Sequence, residues 1–171
     1  QIATEQSDII VTATRRSEAL SDIPLAVSAV SSATLANSGA SDIRQLNQLS
    51  PSLLVSSTSS EAQGGGARIR GIGTVGDNPG LESSVGVVID GVYRPRNGVG
   101  FGDLGEIERI EVLKGPQGTV FGKNTSAGLI NVITRRPSYS QSAEGEITVG
   151  NFGAIGVSGA YNDALGESAA F

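Results

Sequence analysis

Apolar and polar positions alternate along much of this chain, but not in one way. In the run 107–113, Ile107, Arg109, Glu111 and Leu113 alternate with Glu108, Ile110, Val112 and Lys114. Each face of such a strand mixes charge with aliphatic surface, so neither is a plain water-facing side. Arg109 and Glu111 then read as charges meant for partners inside an enclosure. A second β-type run, 129–134, follows a connection punctuated by Gly115-Pro-Gln-Gly118 and Phe121-Gly122, where Gly and Pro allow tight backbone.

Upstream, residues 8–14 (DIIVTAT) form a short β-prone run closed by Arg15-Arg16. The run 25–30 places Leu25, Val27 and Ala29 on one parity. Two short helices are predicted next. The first, 31–37, stops at Gly39, and the second, 42–49, has Ser41 as its cap and Pro51 as its stop. Ile43, Leu46 and Leu49 lie along one side of it, and packing is its expected role. Strands are predicted at 53–57, 67–71 and 84–90, the last turning at Asp90-Gly91 and resuming at Val92-Tyr93. Three loops separate them, 58–66, 73–81 and 94–102.

After Pro137 the texture changes. Ile147, Val149, Ile155, Val157 and Tyr161 share one parity, opposite Glu146, Thr148, Ala154, Gly156 and Ser158, with turns at 150–153 and 164–167. One apolar face and one small or polar face is the dyad pattern of a transmembrane β-barrel. Two or three such strands cannot close, and an open edge in lipid leaves backbone groups unpaired. The remaining barrel is therefore expected outside these residues, further along the same polypeptide or on another.

At 171 residues the chain holds one ordinary domain with a small appendage. It has 24 Gly, no Cys, Met, Trp or His, and 4% aromatic residues, so its core must come from Val, Ile, Leu and Ala. A core so thin is expected to gain stability from its surroundings. Lack of Cys and His excludes a disulfide scaffold, thiolate or His-based metal sites, and His-dependent catalysis. The net charge of −5 argues against nucleic acid as a partner. No apolar run approaches the ~20 residues of a membrane helix.

Three motifs fail on context. Gly71-Ile-Gly73-Thr-Val-Gly76 fits G-x-G-x-x-G, but Asp77-Asn-Pro-Gly80 forbids the helix whose N-terminus would hold a pyrophosphate. The segment 118–125 is one residue short of a P-loop, and Asn124 stands where Ser or Thr should bind Mg²⁺. Asp103, Glu106, Glu108 and Glu111 suggest ion pairing rather than acid–base chemistry, because strand neighbours point to opposite faces.

The segment 107–137, IERIEVLKGPQGTVFGKNTSAGLINVITRRP, closely resembles the C-terminal half of the plug domain of TonB-dependent outer-membrane receptors, roughly IERIEVLRGPxGxLFGxxxxGGxINVITK. Ala127 replaces the first glycine of the usual pair, which requires only negative φ there, and Lys114 replaces Arg. Ile69-Arg-Gly71 and Asp90-Gly-Val-Tyr93 resemble two further motifs of the family, and residues 8–14 resemble its TonB box (DxxVVTA). The resemblance covers about residues 8–162.

It implies an α+β fold: a mixed-sheet plug with short helices, followed by the start of an antiparallel transmembrane β-barrel. The implied division is an extension with the TonB box at 1–14, the plug at 15–141 and the first barrel strands at 142–171. A barrel of about 22 strands encloses such a plug. Implied partners are TonB, the rest of the barrel, the outer membrane and a small nutrient, with the N-terminus in the periplasm and no enzyme activity or cofactor. Asp8, Ile9, Ile10, Val11, Thr12 and Ala13 would bind TonB, being mobile until they pair with its sheet. Arg70, Arg109 and Glu111 would be enclosed charges meeting the barrel wall. Glu61, Gln63, Asp77, Asn78, Arg94 and Arg96, on three loops gathered at the end away from the N-terminus, would meet the ligand. The two arginines would suit an anion such as a ferric siderophore, with carbohydrate or cobalamin also open. The rival reading is a soluble periplasmic α+β binding or enzyme domain.

Overall fold

The computed structural model describes residues 9–38, 43–56, 65–73, 82–95 and 106–171. The chain divides into two compact units, one up to Thr134 and one from Arg135 to Phe171. That boundary falls seven residues before the expected 141/142. The reason is local: Asn162 Nδ2 donates to the Ser138 and Ser140 carbonyls, and Gln141 Nε2 donates to Tyr161 Oη, so 138–141 belong with the second unit.

The first unit is built on a five-stranded mixed sheet. Its strands are β3 (Ala26–Ser31), β6 (Val85–Ile89), β7 (Val92–Arg94), β8 (Ile107–Lys114) and β9 (Gly128–Thr134), in the order β3-β8-β9-β6-β7. Only the β6–β9 pair is parallel. The turn from β6 to β7 has Asp90 and Gly91 both at positive φ, as a two-residue hairpin with this sequence requires. Asp90 then ties β9 back, accepting bonds from the Thr134 N–H and hydroxyl.

Both faces of the sheet are covered, which is why no strand in it shows a clean polar side. On the first face lie Val30, Val85, Val87, Ile110, Val112, Ile130 and Val132. They pack under Leu35 of α1 (Ser32–Ser38), Leu46, and the hairpin β4 (Leu53–Ser56) with β5 (Gly66–Ile69). The second predicted helix is a 3-10 helix, Ile43–Gln48. Its apolar spacing of 43, 46 and 49 is the three-residue period of that helix rather than 3.6. Asn47 emerges from it to cap β4, its side chain accepting the Val55 N–H at 2.7 Å and donating to the Val55 carbonyl at 3.1 Å.

The second face carries Val88, Leu113 and Leu129 and is covered by Val11, Ala13 and Ile23. These come from the N-terminal segment, where β1 (Ile10–Val11) pairs antiparallel with β2 (Glu18–Ala19). Leu25, Val27 and Ala29 join this cluster as read, while Val30 faces the other way.

Gly128 is the position where the β8–β9 junction depends on a missing side chain. Its φ is +148°, and a Cβ there would meet the Leu113 carbonyl oxygen at 2.3 Å and Ile69 Cδ1 at 2.6 Å. Its neighbour Ala127 is buried without positive φ, so the alanine is accommodated. Gly128→Ala is expected to cost about 2–4 kcal/mol, summing strain and overpacking. Proteolysis of the domain in rising urea would measure it; an unchanged midpoint would mean the junction relaxes freely.

In the second unit, β10 (Ser142–Val149) and β11 (Ile155–Asn162) form an antiparallel hairpin through a 3-10 turn, Asn151–Gly153. The register puts Ile147 opposite Val157 and Val149 opposite Ile155, on one face. A second turn returns Ala170 beside Ala164, where the expected third strand would begin.

Candidate functional site

Glu111 stands at the centre of the second face of the sheet. The alternation that buries Ile110 and Val112 on the first face sends Glu111 to the other, where it has no solvent exposure. Its register partner in β9 is Asn131, a lone amide in an aliphatic strand. The Glu111 carboxylate is saturated with donors. Oε1 accepts from the Thr12 N–H at 2.8 Å and from Arg109 Nε at 2.9 Å, and the Thr12 hydroxyl donates to it at 3.1 Å. Oε2 accepts from Asn131 Nδ2 at 3.1 Å. Asn131 Nδ2 also reaches Thr12 Oγ1 at 3.2 Å.

A buried carboxylate survives only with a counter-charge and satisfied lone pairs, and this arrangement supplies both. Arg109 is the counter-charge. Its side chain is 15% exposed, and beyond Glu111 it also pairs with the surface carboxylate of Glu108. The pairing of β8 with β9 shifts register between Ile107 and Arg109, at this end of β8. Arg109 thus links a fully buried acid to the rim of the domain.

In this structure the described part of the expected TonB-binding run is docked on the second face of the sheet. Ile9 and Ile10 are about half exposed, but Val11 and Ala13 are completely buried and Thr12 is bonded to Glu111. Nothing adjacent in the sequence announces this anchor. The anchor is 99 residues away. The one available signal was Asn131, since an amide amid Leu-Ile-Asn-Val-Ile is buried and needs partners. Asp8 lies outside the described residues.

Of the expected wall contacts, Glu111 is enclosed, but by the domain itself, and Arg109 pairs with it there. Arg70 lies outside the strand predicted to include it: β5 ends at Ile69, and Arg70 sits in the following turn at φ +53°, on the exposed surface of this unit. Of the expected ligand contacts, Arg94 ends β7 half-buried, its Nε buried without a hydrogen-bond partner among the described residues. Glu61, Gln63, Asp77, Asn78 and Arg96 lie outside the described residues, as do most of the three loops whose clustering was expected.

Between β8 and β9, the helical turn α2 (Gly118–Phe121) lays the Phe121 ring under Arg15, 5.3 Å from its guanidinium carbon. Lys123 bonds Glu82 at 2.6 Å; the bond and charge hold the Glu82 carboxyl below its ordinary range and raise Lys123. Both are exposed, so this pair positions the connection more than it stabilises it. Asn124 Nδ2 adds a bond to Tyr93 Oη at 2.9 Å.

Comparison with known proteins places this arrangement. A family model described as the TonB-dependent receptor plug domain matches residues 19–129. The vitamin B12 transporter BtuB of Vibrio vulnificus is 29% identical over 143 residues, covering 81% of this chain and 22% of that protein. The pesticin receptor of Yersinia pestis is 28% identical over 136 residues, covering 78% of this chain and 19% of the receptor. The ferripyoverdine receptor of the outer membrane of Pseudomonas aeruginosa, solved bound to ferripyoverdine, has a TM-score of 0.76 at 22% identity, covering 96% of this chain and 22% of that one. The chain spans about a fifth of the length of these relatives.

Proposed function

This chain belongs to the TonB-dependent receptor plug domain family, and on that premise we propose that it is the gating plug of an outer-membrane transporter for energy-coupled uptake of a scarce nutrient. The observation that carries the step from domain to transporter is the hairpin after the plug. Ile147, Val149, Ile155 and Val157 share one face and are each about three-quarters exposed. A bare apolar face on an alternating hairpin suits the outside of a β-barrel in lipid. It does not suit the rival, a soluble periplasmic domain.

In this reading the plug fills the lumen of a barrel that includes β10 and β11, with the N-terminal segment toward the periplasm. TonB takes residues 8–13 as an added strand. Arg70, exposed in its turn, and Arg109, at the rim, face acidic groups of the barrel wall. Arg94 and Arg96, with Glu61, Gln63, Asp77 and Asn78, meet the ligand. The two arginines favour an anionic ferric siderophore, in keeping with the ferripyoverdine that the Pseudomonas neighbour is named for. The relative named as a vitamin B12 transporter keeps cobalamin open.

The test is fractionation and uptake with the full receptor carrying this segment. It should be recovered in the outer membrane and take up ligand only in cells with TonB. Recovery in the soluble periplasm would favour the rival. The hairpin gives a sharper form of the same test. Val157→Arg puts a charge on the apolar face and is expected to cost about 2–4 kcal/mol if it lies near the bilayer midplane. Ser158→Arg, one residue on and opposite Glu146, should cost far less. The folded receptor in the outer membrane reads both variants; equal losses would contradict the assigned lipid face.

A further inference from the structure

Among the described residues, Glu111 is the one charged side chain in the buried core. Its bonding joins two pieces of the fold that are otherwise separable. Arg109 Nε and Asn131 Nδ2 belong to the sheet, whereas the Thr12 N–H and hydroxyl belong to the N-terminal segment. That segment is in no ladder of the five-stranded sheet, and its own β1–β2 pairing is two residues long. Its other attachments are the burial of Val11 and Ala13, which is non-directional, the Asn131 Nδ2 bond to Thr12 Oγ1 at 3.2 Å, and Arg15 over the Phe121 ring. Of these directional ties, the Thr12 N–H bond to the carboxylate is charge-assisted and, at 2.8 Å, shorter than the Asn131 bond, so it contributes most to fixing the register and opposing sliding.

We infer that Glu111 is a latch: its charge holds residues 9–14 docked on the sheet and sets how often they are free. The design suits repeated release. When the segment leaves, the carboxylate keeps Arg109 and Asn131 and gains water in place of Thr12, so it is not stranded as a bare buried charge. The sheet ladder from β3 to β7 stays closed, because none of its bonds passes through the segment. Docking buries Val11 and Ala13 and uses the Thr12 N–H, so a docked segment cannot at the same time be a strand added to a partner's sheet. Capture is then limited by the free fraction, which divides into the intrinsic affinity. This last step rests on the reading of residues 8–13 as the TonB-binding strand; the latch itself does not.

Hydrogen exchange of the full receptor in detergent tests the latch without TonB. In Glu111→Gln the side-chain shape is kept and the charge is lost. Peptides covering 9–14 should exchange at least tenfold faster, while those covering β8 and β9 stay unchanged. Unchanged exchange at 9–14, or acceleration of segment and sheet together, would overturn the latch, the second by making Glu111 a general core group. If Glu111→Gln does not assemble, Thr12→Val removes only the hydroxyl bonds, and a several-fold acceleration confined to 9–14 is expected; none would overturn the proposal. Binding of the purified periplasmic domain of TonB to the same variant separates the two readings. Tighter binding by the factor seen in exchange supports both. Faster exchange with unchanged TonB affinity would leave the latch standing and remove residues 8–13 as the capture strand.

Discussion

Ile10→Pro in the full receptor is expected to abolish energy-dependent uptake while leaving ligand binding at the cell surface intact. Strand addition draws its affinity from main-chain N–H and C=O groups, and proline deletes one donor and fixes φ. Ile10 is the position to change because its side chain is about half exposed. Val11→Pro should also abolish uptake, but Val11 is fully buried, so that variant disturbs the second face of the sheet as well. Thr12→Ser keeps the hydroxyl and the N–H and should matter much less. Binding and uptake measured on the same cells decide the matter. Normal uptake in both proline variants would make this run a structural strap alone and move the coupling site elsewhere.

Arg109→Ala should destabilise the domain by about 3 kcal/mol, the low end for breaking a buried pair, because the Thr12 and Asn131 donors remain on Glu111. Midpoints of proteolysis in urea would show it as earlier loss of the plug segment in the receptor. The double variant Arg109→Ala with Glu111→Gln should recover much of the loss, since no uncompensated charge is then buried. Additive losses would mean that Arg109 acts mainly on something other than Glu111, as it would if its chief partner stood on the barrel wall. Unchanged stability and uptake in Arg109→Ala would dismiss both roles.

The strands of the first unit were legible because their signals are local. Asp90-Gly91 demands a tight hairpin, and the mixed alternation at 107–113 is what a strand covered on both faces looks like. A three-residue repeat over seven residues fits an ordinary helix as well as a 3-10 helix, so the sequence does not separate the two at Ile43–Gln48. The strand expected at 67–71 includes Arg70, but the positive φ at Arg70 and Gly71 ends β5 before it. The anchoring of Thr12 was not legible at all. Nothing near it in sequence announces a carboxylate 99 residues away, and only the isolated Asn131 hinted that the middle of the sheet was polar.

The central claim is that residues up to Thr134 close a pore formed by the barrel that β10 and β11 begin. Conductance of the full receptor in planar bilayers, with and without residues 9–134, tests it most directly. The intact receptor should be closed to ions. The deleted form should open a large and steady pore, since a barrel of about 22 strands leaves an aqueous lumen once its plug is gone. Equal conductance of two folded forms, both closed or both open, would contradict the assignment of this domain as the gate.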